Sequence, residues 1–237
     1  MTRAPDPPDP SSREYYERSD YFQGGGSHLL DPESRFHRYR TRMVRGLCGR
    51  LEGVRAVDLG CGWGTIAFAL AREAREVVGV DFAQAAVDIC RERLAKEPGE
   101  NLRFVRADAR STGLPGGEWD LVVAADLVEH LPADVTLEVY GEAHRLLRPG
   151  GQLVIWTPDP GHFTERLRAW GVLRPDPTHV DYKTLDRVVR ELEGQGFVVE
   201  EAGHRESHLP VLGLVERLTL GWLPLMRRRI AVRARKE

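Results

Sequence analysis

"VDLGCGWG", residues 57–64, decides the fold of this chain. It closes a short apolar run at Leu59 and then places Gly60, Gly62 and Gly64 at alternate positions before an apolar helical pattern begins. Glycine tolerates positive φ and lets backbone approach a ligand closely, so a strand, a glycine loop and a helix are read here. Dinucleotide-binding loops run G-x-G-x-x-G and seat a pyrophosphate on the helix N-terminus. Here the third glycine comes one residue early and position 65 is Thr. Asp58 is a second departure, because a carboxylate at the strand end repels a pyrophosphate and attracts an ammonium. A nicotinamide-dependent oxidoreductase is disfavoured on both counts.

Outward from the loop, strand patterns at 54–59, 76–81, 102–107, 119–125, 151–158, 197–202 and 229–235 alternate with helical patterns at 65–74, 83–96, 133–147 and 182–196. "RPGG" (148–151) reads as a helix stop and turn. Ile230, Val232 and Ala234 share one side of the last strand, which reads as an edge strand. The alternation predicts an α/β fold: a mostly parallel open sheet with helices on both faces, its ligand at the carboxyl ends of the strands. Asp81 ends the second strand 21 positions after Gly60, where a carboxylate accepts from both hydroxyls of a ribose. The pocket therefore wants a nucleoside with a positively charged tail and no phosphates. S-adenosylmethionine (SAM) is such a molecule. Asp108, after the third strand, is placed to accept from an exocyclic adenine amine.

In order along the chain, "VDLGCGWG", "VVGVDF", "VRADA", "WDLVVAADLVEHL" and "LLRPGGQLVIWTP" resemble the successive motifs of the class I SAM-dependent methyltransferases over about 54–158. The resemblance implies a Rossmann-like seven-stranded sheet whose last strand is antiparallel. It also implies that Asp58, Gly60 and Gly62 shape the methionine end of the site, Asp81 holds the ribose, Phe82 packs on the adenine and Asp108 reads its amine. Cys61 and Ala109 become further cofactor contacts, and the backbone around Ala125 closes the pocket.

A hydroxyl or amine that accepts a methyl group must lose a proton, so a general base near neutral pKa is sought. Of eight histidines, His130 and His179 are placed for this, and His162 is the best of the others. D-x-x-E-H at 126–130 is similar to the E-x-x-E-H of the ubiquinone-biosynthesis O-methyltransferases and of the small-RNA 2′-O-methyltransferases. "THVDYKTL" (178–185) resembles a T-H-D-x-K-K-F motif of the former. That likeness implies that Asp126, Glu129, His130 and His179 converge and can ligate a divalent metal. "EHL" at this place also occurs as an ordinary helix start and pocket wall in metal-free enzymes of the type. The sequence favours that reading, and no metal ligand is assigned.

The 237 residues carry a net charge of −2, with 41% hydrophobic and 30% charged residues. No basic stripe marks a nucleic-acid partner. Three cysteines with no C-x-x-C pattern indicate neither zinc site nor disulfide framework, and "MTRAPDPPDPSS" has no apolar signal region. A cytoplasmic location is expected. Residues 1–13 read as a disordered tail, 14–50 as an N-terminal helical lid, and 51–237 as a SAM-binding domain with acceptor-side insertions at 158–180 and 205–226. Tyr16, Tyr21, Phe22, Phe163, Trp170, Leu209 and Trp222 in these segments point to a fairly apolar small-molecule acceptor, methylated at oxygen. The alternatives are N- or C-methylation, a metal-assisted O-methylation, and a non-catalytic SAM-fold interaction protein. Residues 209–225 are too short and polar to span a membrane. They read as a helical cover over the core, with membrane-surface contact through 209–237 as the alternative. The sequence leaves the oligomeric state open.

Overall fold

The computed structural model describes residues 15–16, 34–97, 99–174 and 176–237. The expected disordered tail, the glycine run at 24–27, Tyr21, Phe22 and His28 lie outside the described residues. In chain order the elements are α1 (Arg35–Leu47), β1 (Arg55–Leu59), α2 (Thr65–Ala71), β2 (Glu76–Asp81), α3 (Gln84–Lys96), β3 (Leu102–Arg106), β4 (Trp119–Ala125), a 3-10 turn (Val128–His130), α4 (Ala133–Leu146), β5 (Leu147–Pro158), α5 (Phe163–Ala169), α6 (Leu185–Gly194), β6 (Phe197–Arg205), α7 (Pro210–Thr219), a second 3-10 turn (Pro224–Met226) and β7 (Arg229–Lys236).

The strands form one sheet in the order β3-β2-β1-β4-β5-β7-β6. Strand pairs among β1 to β5 are parallel, and β7 runs antiparallel to both of its neighbours. Side chains alternate faces along each strand. Ala56, Val77, Leu121, Val123, Val154 and Trp156 meet Tyr39, Val44 and Leu47 of α1, Phe68 of α2 and Val87 of α3. Val57, Val78, Val80, Val122, Leu153 and Ile155 meet Val139, Tyr140 and Leu146 of α4 and Val188 and Leu192 of α6. These two apolar layers explain the nearly unbroken hydrophobic runs of the central strands: both faces are covered. From β1 the chain builds outward through β2 and β3 and then returns to β4 on the other side. The crevice at the carboxyl ends of β1 and β4 is therefore the place for a ligand.

Three details differ from the sequence expectation. First, β7 is an interior strand, with β6 outside it. Its alternation arises because Arg233 and Arg235 on one side reach Glu200 and Glu201, leaving that face partly wet. Second, "RPGG" lies within β5. Leu147 already pairs with Trp119, and Gln152 pairs with Leu121, so residues 148–151 bulge out of the ladder. Third, α7 covers the core with the opposite face to the one its composition suggests. Its buried residues are Gly213 and Glu216, while Val211 and Leu218 are 79% and 70% exposed.

Candidate active site

The glycine loop opens the crevice. Gly60, Gly62 and Gly64 all have positive φ. A Cβ at Gly60 would come 2.7 Å from Leu127 Cδ1 and force that side chain to shift, and the positive φ there strains any other residue. Around it is a cavity of about 520 Å³. One end is walled by Gly60, Cys61, Gly62, Asp81, Phe82, Asp108 and Ala109, with Ala125 at the junction. The other end holds Phe36, Arg40, Glu129, His130, Glu165 and His179.

Asp81 is fixed by its backbone surroundings. Gly62 N–H donates to Oδ2 and Ala83 N–H to Oδ1, each at 2.9 Å. An ionised carboxylate offers about four lone-pair sites, so both oxygens retain acceptor capacity toward the cavity. Burial pushes its pKa up, against the pull of those backbone donors. A vicinal diol matches this cradle, and Phe82 beside it offers an apolar wall. These residues fit the nucleoside of SAM. Asp108 lines the same end but is gripped by Arg110, Nε to Oδ1 at 3.1 Å and Nη2 to Oδ2 at 2.8 Å. Asp58 is absent from the cavity wall. It is 2% exposed and accepts from Ala67 N–H at 3.0 Å, holding the first turn of α2. Burial pushes its pKa up to about 7, with Arg40 opposing. The strand alternation that points Asp58 toward α2 withholds it from the ligand.

At the other end the structure brings together Glu129, His130 and His179, whose ligating atoms all lie within 4.8 Å of one another. Asp126 does not join them. Its carboxylate is held by Arg40 Nε at 2.6 Å and Arg229 Nη1 at 2.7 Å. Burial raises its pKa, but Arg229 and Arg40 outweigh that and keep it below the usual carboxylate range. Glu129 accepts from Thr157 Oγ1 at 2.9 Å, and burial followed by the nearby Asp126 charge raises its pKa.

Both imidazoles have their Nδ1 side occupied. His130 Nδ1 lies 2.9 Å from the Thr178 carbonyl. A carbonyl only accepts, so the proton sits on Nδ1 and Nε2 carries the lone pair. The Tyr16 hydroxyl lies 3.2 Å from the same nitrogen. His179 Nδ1 is 2.8 Å from Tyr182 Oη, which donates onward to Glu165 Oε2 at 2.9 Å. His179 therefore also presents Nε2 unprotonated. Burial and then the neighbouring His130 lower its pKa to about 4, so it is neutral at pH 7. The two rings sit 4.9 Å apart at 71°.

What joins these segments is a lysine that the sequence reading passed over. Lys183 is fully buried, and its Nζ donates to the carbonyls of Val128 at 2.7 Å, Asp181 at 3.1 Å and Leu131 at 3.3 Å. The Glu129 carbonyl in turn accepts from Val180 and Asp181 N–H. The loop carrying His179 is thus stapled to the turn carrying His130. Arg40 and Arg229 were also missed, since nothing local marks them. His162 is instead a structural residue: it caps α5 and contacts Glu216 at 3.0 Å. Of the aromatic and aliphatic residues expected around the acceptor, Tyr16 lines the cavity, while Trp170, Leu209 and Trp222 are exposed.

The comparisons with known proteins agree with this fold. Residues 56–151 match a methyltransferase domain family. A bifunctional biotin-biosynthesis protein, BioHC of Saccharophagus degradans, is 31% identical over 74% of the chain and 31% of its own length. A ubiquinone biosynthesis O-methyltransferase of Pseudomonas aeruginosa is 31% identical over 45% of each chain. The chain thus spans less than half the length of these two curated relatives. The phosphoethanolamine N-methyltransferase 2 of Haemonchus contortus, solved in complex with SAM, superposes with a TM-score of 0.71 at 19% identity, covering 94% of this chain and 59% of that one. Fold and glycine loop define a SAM-binding Rossmann-like domain. Residues 56–151 carry the match to the methyltransferase domain family, and the chain resembles the class I SAM-dependent methyltransferases, whose cofactor is SAM.

The Lys183 staple is testable. Lys183→Met keeps the volume but removes the donor to the Asp181 carbonyl and leaves those of Val128 and Leu131 with only 3.4 Å contacts. It should lower stability by about 1–3 kcal/mol, the desolvation cost of a buried polar group left unpaired. Urea unfolding measures this, and unchanged stability would show the staple to be idle.

Proposed function

We propose that this protein transfers a methyl group from SAM to a small-molecule acceptor, most readily at oxygen, with His130 as general base and His179 beside it. The observation that carries the reading is one cavity with a ribose cradle at Asp81 and, at the opposite end, two imidazoles whose Nδ1 atoms are both engaged from behind. The O-methyltransferase name of one relative supports oxygen, whereas the superposed enzyme is named for nitrogen. When bound, SAM supplies a methyl group on a good leaving group, so the protein's work is chiefly alignment and proton removal. Asp58 keeps α2 and the glycine loop in place behind the cofactor end. The Asp81 carboxylate orients the ribose, Phe82 the adenine, and Gly60, Cys61, Gly62 and Ala125 admit the methionine portion through backbone approach. Asp108 and Ala109 border the adenine, although the Arg110 grip leaves Asp108 less acceptor capacity than a free carboxylate. Thr178 fixes the His130 tautomer, and His130 Nε2 takes the acceptor's proton. The three cysteines are buried and unpaired, which supports a reducing cytoplasmic setting.

Two measurements test this. Isothermal titration should show SAM and S-adenosylhomocysteine binding, and Asp81→Ala should weaken it by more than tenfold, since one charge-assisted hydrogen bond contributes roughly 1.5–3 kcal/mol. No binding by the wild-type chain would sink the proposal. His130→Gln should reduce turnover by about 10²–10⁴, the usual contribution of a general base. The Glu129, His130 and His179 constellation also supports a metal-assisted variant of the reaction. Full activity after EDTA treatment supports the base, and activity restored by Mg²⁺, Mn²⁺ or Zn²⁺ supports the metal.

No helix among the described residues is long and apolar enough to cross a membrane. Surface contact through 209–237 is a further part of the proposal, supported by the outward apolar face of α7 and by Trp222 and Trp170, 72% and 68% exposed. Sedimentation with anionic vesicles should carry the protein down, and Leu218→Ser with Trp222→Ser should release it. A wild-type chain that stays in the supernatant removes this part.

A further inference from the structure

Four arginines, Arg40, Arg168, Arg228 and Arg229, line the end of the cavity away from the glycine loop. Three have carboxylate partners. Arg40 and Arg229 share Asp126, and Arg168 pairs with Glu165. Arg228 has none within ion-pair distance among the described residues. Its Nη1 donates to Thr164 Oγ1 at 2.9 Å and lies 3.3 Å from His162 Nδ1. Glu165 and Glu216 attract it from beyond contact range, but Glu165 is committed to Arg168 and Tyr182, and Glu216 to His162 and Ser207. Burial and the adjacent Arg229 both oppose its charge.

A guanidinium is always protonated and carries five donors in a planar fork. Arg228 is half-buried, and even partial burial of a guanidinium without a counter-charge carries a cost. Thr164 and His162 fix Arg228 through Nη1 and leave the Nε–Nη2 edge without a described acceptor. That edge grips two oxygens side by side. The chain uses it elsewhere, where Arg110 holds both oxygens of Asp108. The topology explains the placement: β7 runs against the other central strands, so its first residues lie at their carboxyl ends, beside the ligand crevice.

We propose that Arg228 anchors an anionic group, a carboxylate or a phosphate, carried by the methyl acceptor. This rests on the reading that the histidine end of the cavity takes the acceptor. It narrows that acceptor from a fairly apolar molecule to one with an acidic end. The acid is a handle and not the methylated atom: Glu165, Tyr182 and His179 stand between Arg228 and His130.

The test uses the full chain saturated with S-adenosylhomocysteine and titrated calorimetrically with inorganic phosphate and, separately, with benzoate. One of the two anions should saturate, and which one does assigns the class. Arg228→Gln should weaken that anion at least tenfold while S-adenosylhomocysteine still binds. Should the Gln variant fail to fold, Arg228→Lys decides, since it keeps the charge and loses the fork; it should bind the anion severalfold more weakly. Failure of both anions to saturate the wild-type complex overturns the proposal, as does undiminished binding by the variants. Absence of S-adenosylhomocysteine binding by the wild type is a different result, and it overturns the proposed function itself.

Discussion

The site depends on the ion cluster at Asp126. Asp126 is the one non-glycine residue with positive φ among the described residues, at 54°. Such a conformation is uncommon for a residue with a side chain and persists only when the surroundings over-determine it. Here they do. Its N–H donates to the Trp156 carbonyl at 2.7 Å, and its carboxylate is held on one oxygen by Arg40 and on the other by Arg229. One arginine comes from the first described helix and the other from the last strand. The turn therefore ties the two ends of the described fold to the carboxyl end of β4, and directs the following turn so that Glu129 and His130 face the cavity. Two guanidinium groups are thereby committed to one carboxylate, whereas Arg228 beside them has no carboxylate partner among the described residues.

Proton positions follow from the same packing. Neither imidazole can be oriented by its own rotamer alone, and both are set by what lies behind them. For His130 this is a carbonyl, and for His179 a tyrosine that is itself committed to a carboxylate. Burial and His130 together keep His179 neutral at neutral pH. Lys183 gives three carbonyls where the loop meets the turn a short, charged donor; those of Val128 and Leu131 otherwise have only donors at 3.4 Å, from Leu131 N–H and Thr136 Oγ1. A buried ammonium is expensive to desolvate. Asp181 offsets part of that cost at 3.2 Å, and Arg187 in turn holds Asp181.

How much of this was legible in the sequence follows the range of the interactions. The glycine loop and the acid ending β2 are local, so their residues declared themselves: a strand, positive φ and a carboxylate a fixed distance on. The mostly parallel sheet and its antiparallel last strand followed from alternation and the motif resemblance, but the place of β7 inside β6 did not. Arg40 and Arg229 stand 86 and 103 positions from Asp126 and carry no local signature. For Asp58 the sequence gives the strand end but not the side of the sheet, and its carboxylate turns to Ala67 N–H in α2, off the cavity wall. For α7, periodicity revealed an apolar and a polar face but not which one turns inward. Glu216 turns inward because His162 Nε2 and the Ser207 N–H both reach its carboxylate. Gly213 beside it lets the helix approach Ser207 more closely than any Cβ would allow.

The reversed strand links architecture to chemistry. A parallel strand in the place of β7 would bring its last residues to the ligand edge and leave its first at the far side of the sheet. Running the other way, β7 delivers Arg228 and Arg229 directly from the preceding turn into the cavity wall, while its other end is pinned far off by Lys236 on the carbonyls of His144 and Leu147. Insertion between β5 and β6 buries it on both sides, so its first residues are positioned by a full ladder on either flank. The adjacent arginines then divide their roles by strand alternation. Arg229 turns to Asp126 and holds the fold of the site, and Arg228 turns to Thr164 and keeps its fork available. The antiparallel pairing that completes the sheet therefore also fixes the charge that the acceptor meets.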